Sequence, residues 1–276
     1  MSPPRLTDPR ALALYRARAA ARPDALYLHR LAADEVTERL GAVNRTFTRP
    51  AIVTPFAVAW QGRLPEARIV ADAEVLDLTP GAHDLVIHAL ALHWAEDPVG
   101  QVVQCRRALS PDGLFLGITF GGRTLGALRA ALATAEAEVT GGLSPRVLPM
   151  ADIRDLGAVL QRAGLALPVA DAFVQEVRHA DALALMRDLR AMGEGNALAG
   201  RHRRIPPRAL FARAAALYAA AHSDGAGVVT PFEFVVLTGW APHESQQKPL
   251  RPGSAAARLA DALGSTEHGL PDPAAP

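Results

Sequence analysis

The chain has 276 residues, half of them apolar, with a formal net charge of +1 and a single cysteine, Cys105, so it excludes an internal disulfide and fits one α/β domain with an insertion or at most two small domains. No apolar run approaches the roughly 18 to 20 residues of a membrane span, and the opening MSPPRLTDPR lacks the apolar stretch of a secretory signal. The lone cysteine agrees with a reducing, cytoplasmic compartment, and the arginines are interleaved with acids along the sequence, which leaves nucleic-acid binding without an electrostatic footprint.

Residues 8–43 read as two helices broken at Pro23, with Asp8 as cap and Pro9 at the first helical position of the first. Arg16, Arg18 and Arg22 crowd that helix, either as a solvated face or as a site for phosphate or an acidic partner. Pro50 to Trp60, PAIVTPFAVAW, is apolar and reads as the first strand, with Pro55 implying an early end or an edge. The next strand candidate, Arg68 to Leu78, carries Asp72. The link Gln61 to Ala67 is too short for the dozen or more residues of a helical crossover, so one strand-helix unit is expected to be missing.

Asp84 to Leu90 and Leu114 to Phe120 are short continuous apolar runs, the pattern of strands covered on both faces of a parallel sheet. Between them lie His93 and Trp94 in a loop, a helix over Pro98 to Leu109 and the turn Ser110-Pro-Asp-Gly113. In this fold class reacting groups stand at the carboxyl edge of the sheet, which makes His93 and Trp94 candidates for substrate or partner binding; the alternative is that both pack beneath the following helix. Cys105, mid-helix, reads as a structural thiol. Beyond Phe120 come a long helix to about Val139, a helix Asp152 to Arg162 closed by Gly164, and a strand Val169 to Val177. Amphipathic helices Asp181 to Met192 and Pro207 to His222 follow, then an antiparallel last strand Val228 to Trp240 pairing with Val169 to Val177. The predicted organisation is N-terminal helices over 1–48, a sheet domain over 49–178 and 226–250, an inserted helical cap over 179–225 and a flexible tail over 251–276. The histidines show no metal-ligand spacing with a nearby Cys, so no metal is expected.

The stretch D-L-V through L-H-W to P-D-G-L-F resembles the fourth strand, helix and fifth strand of the class I S-adenosylmethionine (SAM) methyltransferase fold. F-G-G-x-T-L-x-x-L-R (Phe120 to Arg129), G-G-x-S-P-R (Gly141 to Arg146), D-L-G-x-x-L-x-R-A-G (Asp155 to Gly164), L-M-R-D-L-R-A-M-G-E (Leu185 to Glu194) and G-W-x-P-H-E-S-Q-Q-K-P (Gly239 to Pro249) together resemble a narrower family. It is the mitochondrial and alphaproteobacterial methyltransferase-like family that includes the complex I assembly factor acting as an arginine hydroxylase, related to the biotin-pathway malonyl-carrier methyltransferases. The resemblance implies a Rossmann-like sheet with helices on both faces, SAM as cofactor, and a protein partner on complex I. It places Asp72 where the third strand's acid faces the adenine. The departures lie in the cofactor half: no Gly-rich loop follows the first strand, no second-strand acid is present unless Glu66 serves, and Arg123 stands where relatives usually carry Asp. They imply that SAM is bound weakly or not at all. His243, Glu244, Ser245 and Gln246, in a motif kept almost letter for letter, are candidates for partner contact. Two functions stay open: a protein that helps mature a complex with cofactor binding lost or weakened, and an active SAM-dependent enzyme with a rebuilt cofactor loop.

Overall fold

The two continuous apolar runs become adjacent parallel strands at the centre of a sheet, in a computed structural model that describes residues 5–247. The tail predicted over 251–276, with Lys248 and Pro249, lies outside the described residues. Strands β1 (Pro50–Val53), β2 (Arg68–Val70), β3 (His83–Ala89), β4 (Leu109–Phe120), β5 (Ala166–His179) and β6 (Val228–Trp240) form a six-stranded sheet in the order β2-β1-β3-β4-β6-β5. The first four run parallel, and β6 lies antiparallel between β4 and β5, pairing Thr238 with Val169 and Thr230 with Val177 as expected.

Among the described residues seven α-helices flank the sheet: α1 (Pro9–Ala20), α2 (Tyr27–Ala42), α3 (Pro98–Ala108), α4 (Gly126–Thr140), α5 (Ile153–Arg162), α6 (Ala182–Ala191) and α7 (Arg208–His222). Side chains alternate across a strand, so Ile52, Leu85, Ile87, Leu114, Leu116 and Ile118 face one core shared with α2, α4, α6 and α7. Ala51, Val53, Val86 and Phe115 face a second core beneath α3 and α5. Both faces being covered is why the central strands read as unbroken apolar runs. Several helix starts follow from single residues: Asp8, Asp97, Asp152 and Asp181 each accept backbone N–H bonds at the head of α1, α3, α5 and α6.

The first strand is shorter than the apolar run predicts. It ends at Val53, and Ala57–Trp60 is instead a 3-10 turn with Ala59 and Trp60 buried. Pro55 has no N–H to give a ladder, and the apolar residues after it fill the core as a turn. The parallel connection to β2 therefore runs over residues 54–67 and contains that turn and no α-helix. The second predicted strand also shrinks, to Arg68–Val70, and pairs Ile69 directly with Ile52. The segment resembling the family's third strand thus sits beside the first, as expected of a sheet lacking one strand-helix unit.

Candidate functional site

The carboxyl ends of β1, β2, β3 and β4 gather a set of buried charged and hydrogen-bonding side chains. Just past β3, a 3-10 turn over Leu92–Trp94 turns His93 and Trp94 inward. Glu194 comes from the opposite direction, immediately after α6. Its neighbour Gly193 has φ 90°, and a Cβ there would come within 3.2 Å of Phe56 and of Ala19, so only glycine lets the end of α6 settle against the core and deliver the acid. His93 Nε2 (3.2 Å) and Trp94 Nε1 (2.7 Å) both donate to Glu194 Oε2. His93 Nδ1 lies 3.2 Å from Thr119 Oγ1 on β4. The His93 side chain is 2% exposed and that of Glu194 7%.

Burial alone would raise the Glu194 carboxyl; the charge and hydrogen bond of His93 outweigh it and, with His29 and Trp94, bring it down to about 2. Nearby, His29 stands edge-on to Phe56 at 4.7 Å, and His88 Nε2 faces Gln101 Oε1 at 3.3 Å. Burial lowers both imidazoles to about 4.

Asp72, just beyond β2, is held by an ion pair with Arg16 from α1. Each side chain is 14% exposed, and burial raises the carboxyl despite the arginine. At the end of β1, Thr54 N–H donates to Val70 O (3.0 Å), Pro55 has no N–H, and Phe56 N–H donates to Thr54 Oγ1 (3.3 Å). Phe56 itself is buried. These backbone donors are therefore used within the chain.

Residues 33–117 match a methyltransferase domain family. The chain is 37% identical over 199 residues to arginine-hydroxylase NDUFAF5, mitochondrial, of Danio rerio, a match covering 72% of this chain and 62% of that protein. It is 35% identical over 199 residues to the malonyl-[acyl-carrier protein] O-methyltransferase of Laribacter hongkongensis (strain HLHK9), covering 70% of this chain and 65% of that protein. Over about 70% of its length the chain is thus similar to class I methyltransferase-like proteins. It spans under two thirds of the length of each of those curated relatives. Among solved structures, that of the YcgJ protein of Bacillus subtilis shares the fold, at a TM-score of 0.50 and 12% identity over 78% of this chain and 100% of that one.

Two cavities open on this edge of the sheet. One of about 250 Å³ is lined by Arg16, Asp72, His88 and Trp94, and another of about 1350 Å³ reaches Trp94 and Glu194 from the side of α4 and α6. Of the sequence candidates, Asp72, His93 and Trp94 are thus brought together at one sheet edge. His243, Glu244 and Ser245 are exposed and Gln246 half-buried, in a stretch that turns at Glu244 and Ser245. Glu194, His29 and His88 escaped the sequence reading as site residues, and Arg16 was read only as part of a solvated face or a phosphate or acidic-partner site. The available signal for Glu194 was its place at the end of the L-M-R-D-L-R-A-M-G-E motif, directly after a helix-ending glycine. A second motif has a local cause: Glu136 accepts two bonds from Arg146 (2.6 and 2.9 Å) and two from Ser144, which pins the G-G-x-S-P-R turn to α4. Among the described residues there is no cluster of His, Cys, Asp and Glu able to hold a metal ion, and no helix long and apolar enough to cross a membrane.

Proposed function

We propose that this methyltransferase-like chain assists the maturation of a protein complex, of the respiratory complex I type, and that it has lost SAM binding at ordinary cofactor concentrations. The observation that carries this reading is the Arg16–Asp72 pair: the acid that resemblance assigns to the cofactor is neutralised by the chain's own arginine. The β1 end agrees. A cofactor loop needs bare glycine N–H groups close to the ligand, whereas here the donors of Thr54 and Phe56 are spent internally and Phe56 fills the space. The residues present do not fit SAM, and the cavity beside Asp72, about 250 Å³, falls below the roughly 300–1,000 Å³ of ordinary small-molecule sites. The complex I assignment rests on the sequence resemblance and on the likeness to arginine-hydroxylase NDUFAF5. A cytoplasmic, reducing location is supported by the single cysteine, whose thiol burial pushes up and makes inert.

Calorimetric titration of purified protein with SAM, after a check for cofactor carried through purification, is expected to give a dissociation constant weaker than roughly 100 μM, that is less than about 5.5 kcal/mol of binding. Low-micromolar binding abolished by Asp72→Ala would overturn the reading. It would establish instead the second one, a SAM-dependent methyltransferase or hydroxylase acting on a protein or small molecule, which the match of residues 33–117 to a methyltransferase domain favours.

The same reading gives His93 and Trp94 to the wall of a partner site at the sheet edge, and takes the segment His243, Glu244, Ser245 and Gln246 as a separate candidate contact. Residues 179–225 are the cap over that site. Replacing the exposed Glu244 with Ala is expected to weaken capture of the partner complex severalfold in pull-downs while shifting the melting temperature by less than about 1 °C, since exposed substitutions stay within about 0.5 kcal/mol. A fall of several degrees with capture unchanged would show that the segment seals the fold.

A further inference from the structure

We propose that the large cavity beside Trp94 is a docking groove for an acidic polypeptide segment carrying apolar side chains. This deepens the protein-partner reading and rests on it. The cavity holds about 1350 Å³, beyond the roughly 300–1,000 Å³ of usual small-molecule pockets and room enough for several side chains of a chain segment. Its floor is aliphatic and aromatic: Leu128, Leu132, Met150, Met186 and Phe211 line it. Its rim is arginine. Arg18 comes from the last turn of α1 and Arg22 from just beyond it, Arg187 and Arg190 from α6, and Arg204 from the segment before α7, and all are exposed.

The charge is uncompensated where it matters. Among the described residues none of those arginines forms an ion pair, whereas Arg146 is taken by Glu136 and Arg201 and Arg203 by Asp8. The acid lining the cavity, Glu194, is committed to His93 and Trp94. A chain of net charge +1 thus brings arginines from three distant stretches to one concave surface. The planar guanidinium fork suits carboxylates, which it can bind through two parallel bonds. Apolar residues reach the rim as well: Leu183 lines it and Ile205, between Arg204 and Pro206, is 95% exposed. A nucleic acid would offer phosphates to the rim but only bases with polar edges to the Leu and Met floor; an acidic segment with Leu or Phe anchors satisfies floor and rim together. Steering by the arginines speeds encounter, and the apolar anchors set the lifetime of the complex.

The test uses the full chain and fluorescein-labelled 14-residue peptides read by anisotropy: one of Glu and Asp interspersed with Leu and Phe, and one of the same order with Lys at every acid. A 14-nucleotide single-stranded RNA and phosphatidylglycerol vesicles are run alongside. The acidic peptide is expected to bind at micromolar concentration at low salt, at least fivefold more weakly at 300 mM salt, and at least tenfold more weakly to the doubly substituted chain Arg187→Glu/Arg190→Glu. Those residues are exposed on α6, so the melting temperature of that variant should stay within about 2 °C of the parent. The Lys peptide should not bind. Equal binding of both peptides, binding indifferent to the double substitution, or tighter binding of the RNA or the vesicles that the same substitution abolishes would each overturn the proposal. A second arm separates it from the reading beneath it. Cells lacking the chain should lose complex I activity, the parent chain should restore it and Arg187→Glu/Arg190→Glu should not. If loss of the chain leaves the complex intact the assembly reading falls, whereas rescue by the double variant removes the groove alone.

Discussion

Acidifying the protein from pH 7 to pH 5 is expected to lower its melting temperature by roughly 10 °C. His29 and His88 are buried and held near 4 in the folded chain, while an unfolded chain takes up their protons around 6.5. A pKa depressed on folding means that the unfolded state binds more protons throughout the window between those values, so stability falls with the pH from about 6.5 and the loss is complete near 4. Each histidine contributes a loss of about 3 kcal/mol at the bottom of the window, at about 1.4 kcal/mol per unit, and the two together rival a total folding stability of about 5–15 kcal/mol. Glu194 extends the effect downwards: its carboxyl near 2 stabilises the fold above the usual value of 4.5, and that contribution is lost as the pH falls from 4.5 towards 2. Asp72, raised by burial, acts in the opposite sense and offsets part of this. The neighbouring groups do not relieve the histidines, since Glu194 favours a proton on His29 but Arg16 opposes one on either ring. Thermal melts from pH 4 to 8 at constant ionic strength measure the effect, and His29→Leu should roughly halve the slope between pH 4.5 and 6.5. A flat profile, or a slope indifferent to that substitution, would mean that these rings are solvated and charged in the folded protein.

Why these residues were hidden while the sheet was plain follows from the range of the forces involved. The strands around Leu85 and Leu116 announced themselves because a strand covered on both faces has apolar residues at every position, and caps such as Asp8 and Asp152 act on backbone groups two or three residues away. Periodicity failed at Thr54 to Trp60, because an apolar run buried in a turn has the same composition as one buried in a strand, and only Pro55 hinted at the break. His93 and Trp94 were visible through their place after a central strand. Glu194 was not, since its partners lie about a hundred positions earlier and its role exists only once α6 has packed. Arg16 shows the same limit. Along α1 it is one of several arginines of a crowded face, yet the fold turns it inward to Asp72 and leaves Arg18 and Arg22 on the rim of the large cavity.

That inward turn is what the remaining prediction tests. Substituting Arg16 with Met keeps the length of the side chain and removes its charge, and the expected cost is about 3–5 kcal/mol, because Asp72 is then a buried carboxylate without its partner. For a chain of this size the melting temperature should fall by roughly 10 °C. The pair is 14% exposed on each side, so water can replace little of the lost interaction. Adding Asp72→Asn to Arg16→Met should recover most of the loss, since replacing a buried pair as a unit is often close to neutral whereas breaking it is not. The resulting coupling between the two sites should reach at least about 2 kcal/mol in a double-mutant cycle. Additive effects would mean that the two side chains do not share a buried bond. The same variants test the proposed loss of cofactor binding. With Arg16 gone the Asp72 carboxylate is free to accept from a ribose or an adenine, but Pro55 still offers no donor and Phe56 still occupies the end of β1. Titration of Arg16→Met with SAM is therefore expected to give no measurable binding. Binding that emerged at micromolar concentration would identify Arg16 as the sole obstruction, a plug on a site otherwise competent.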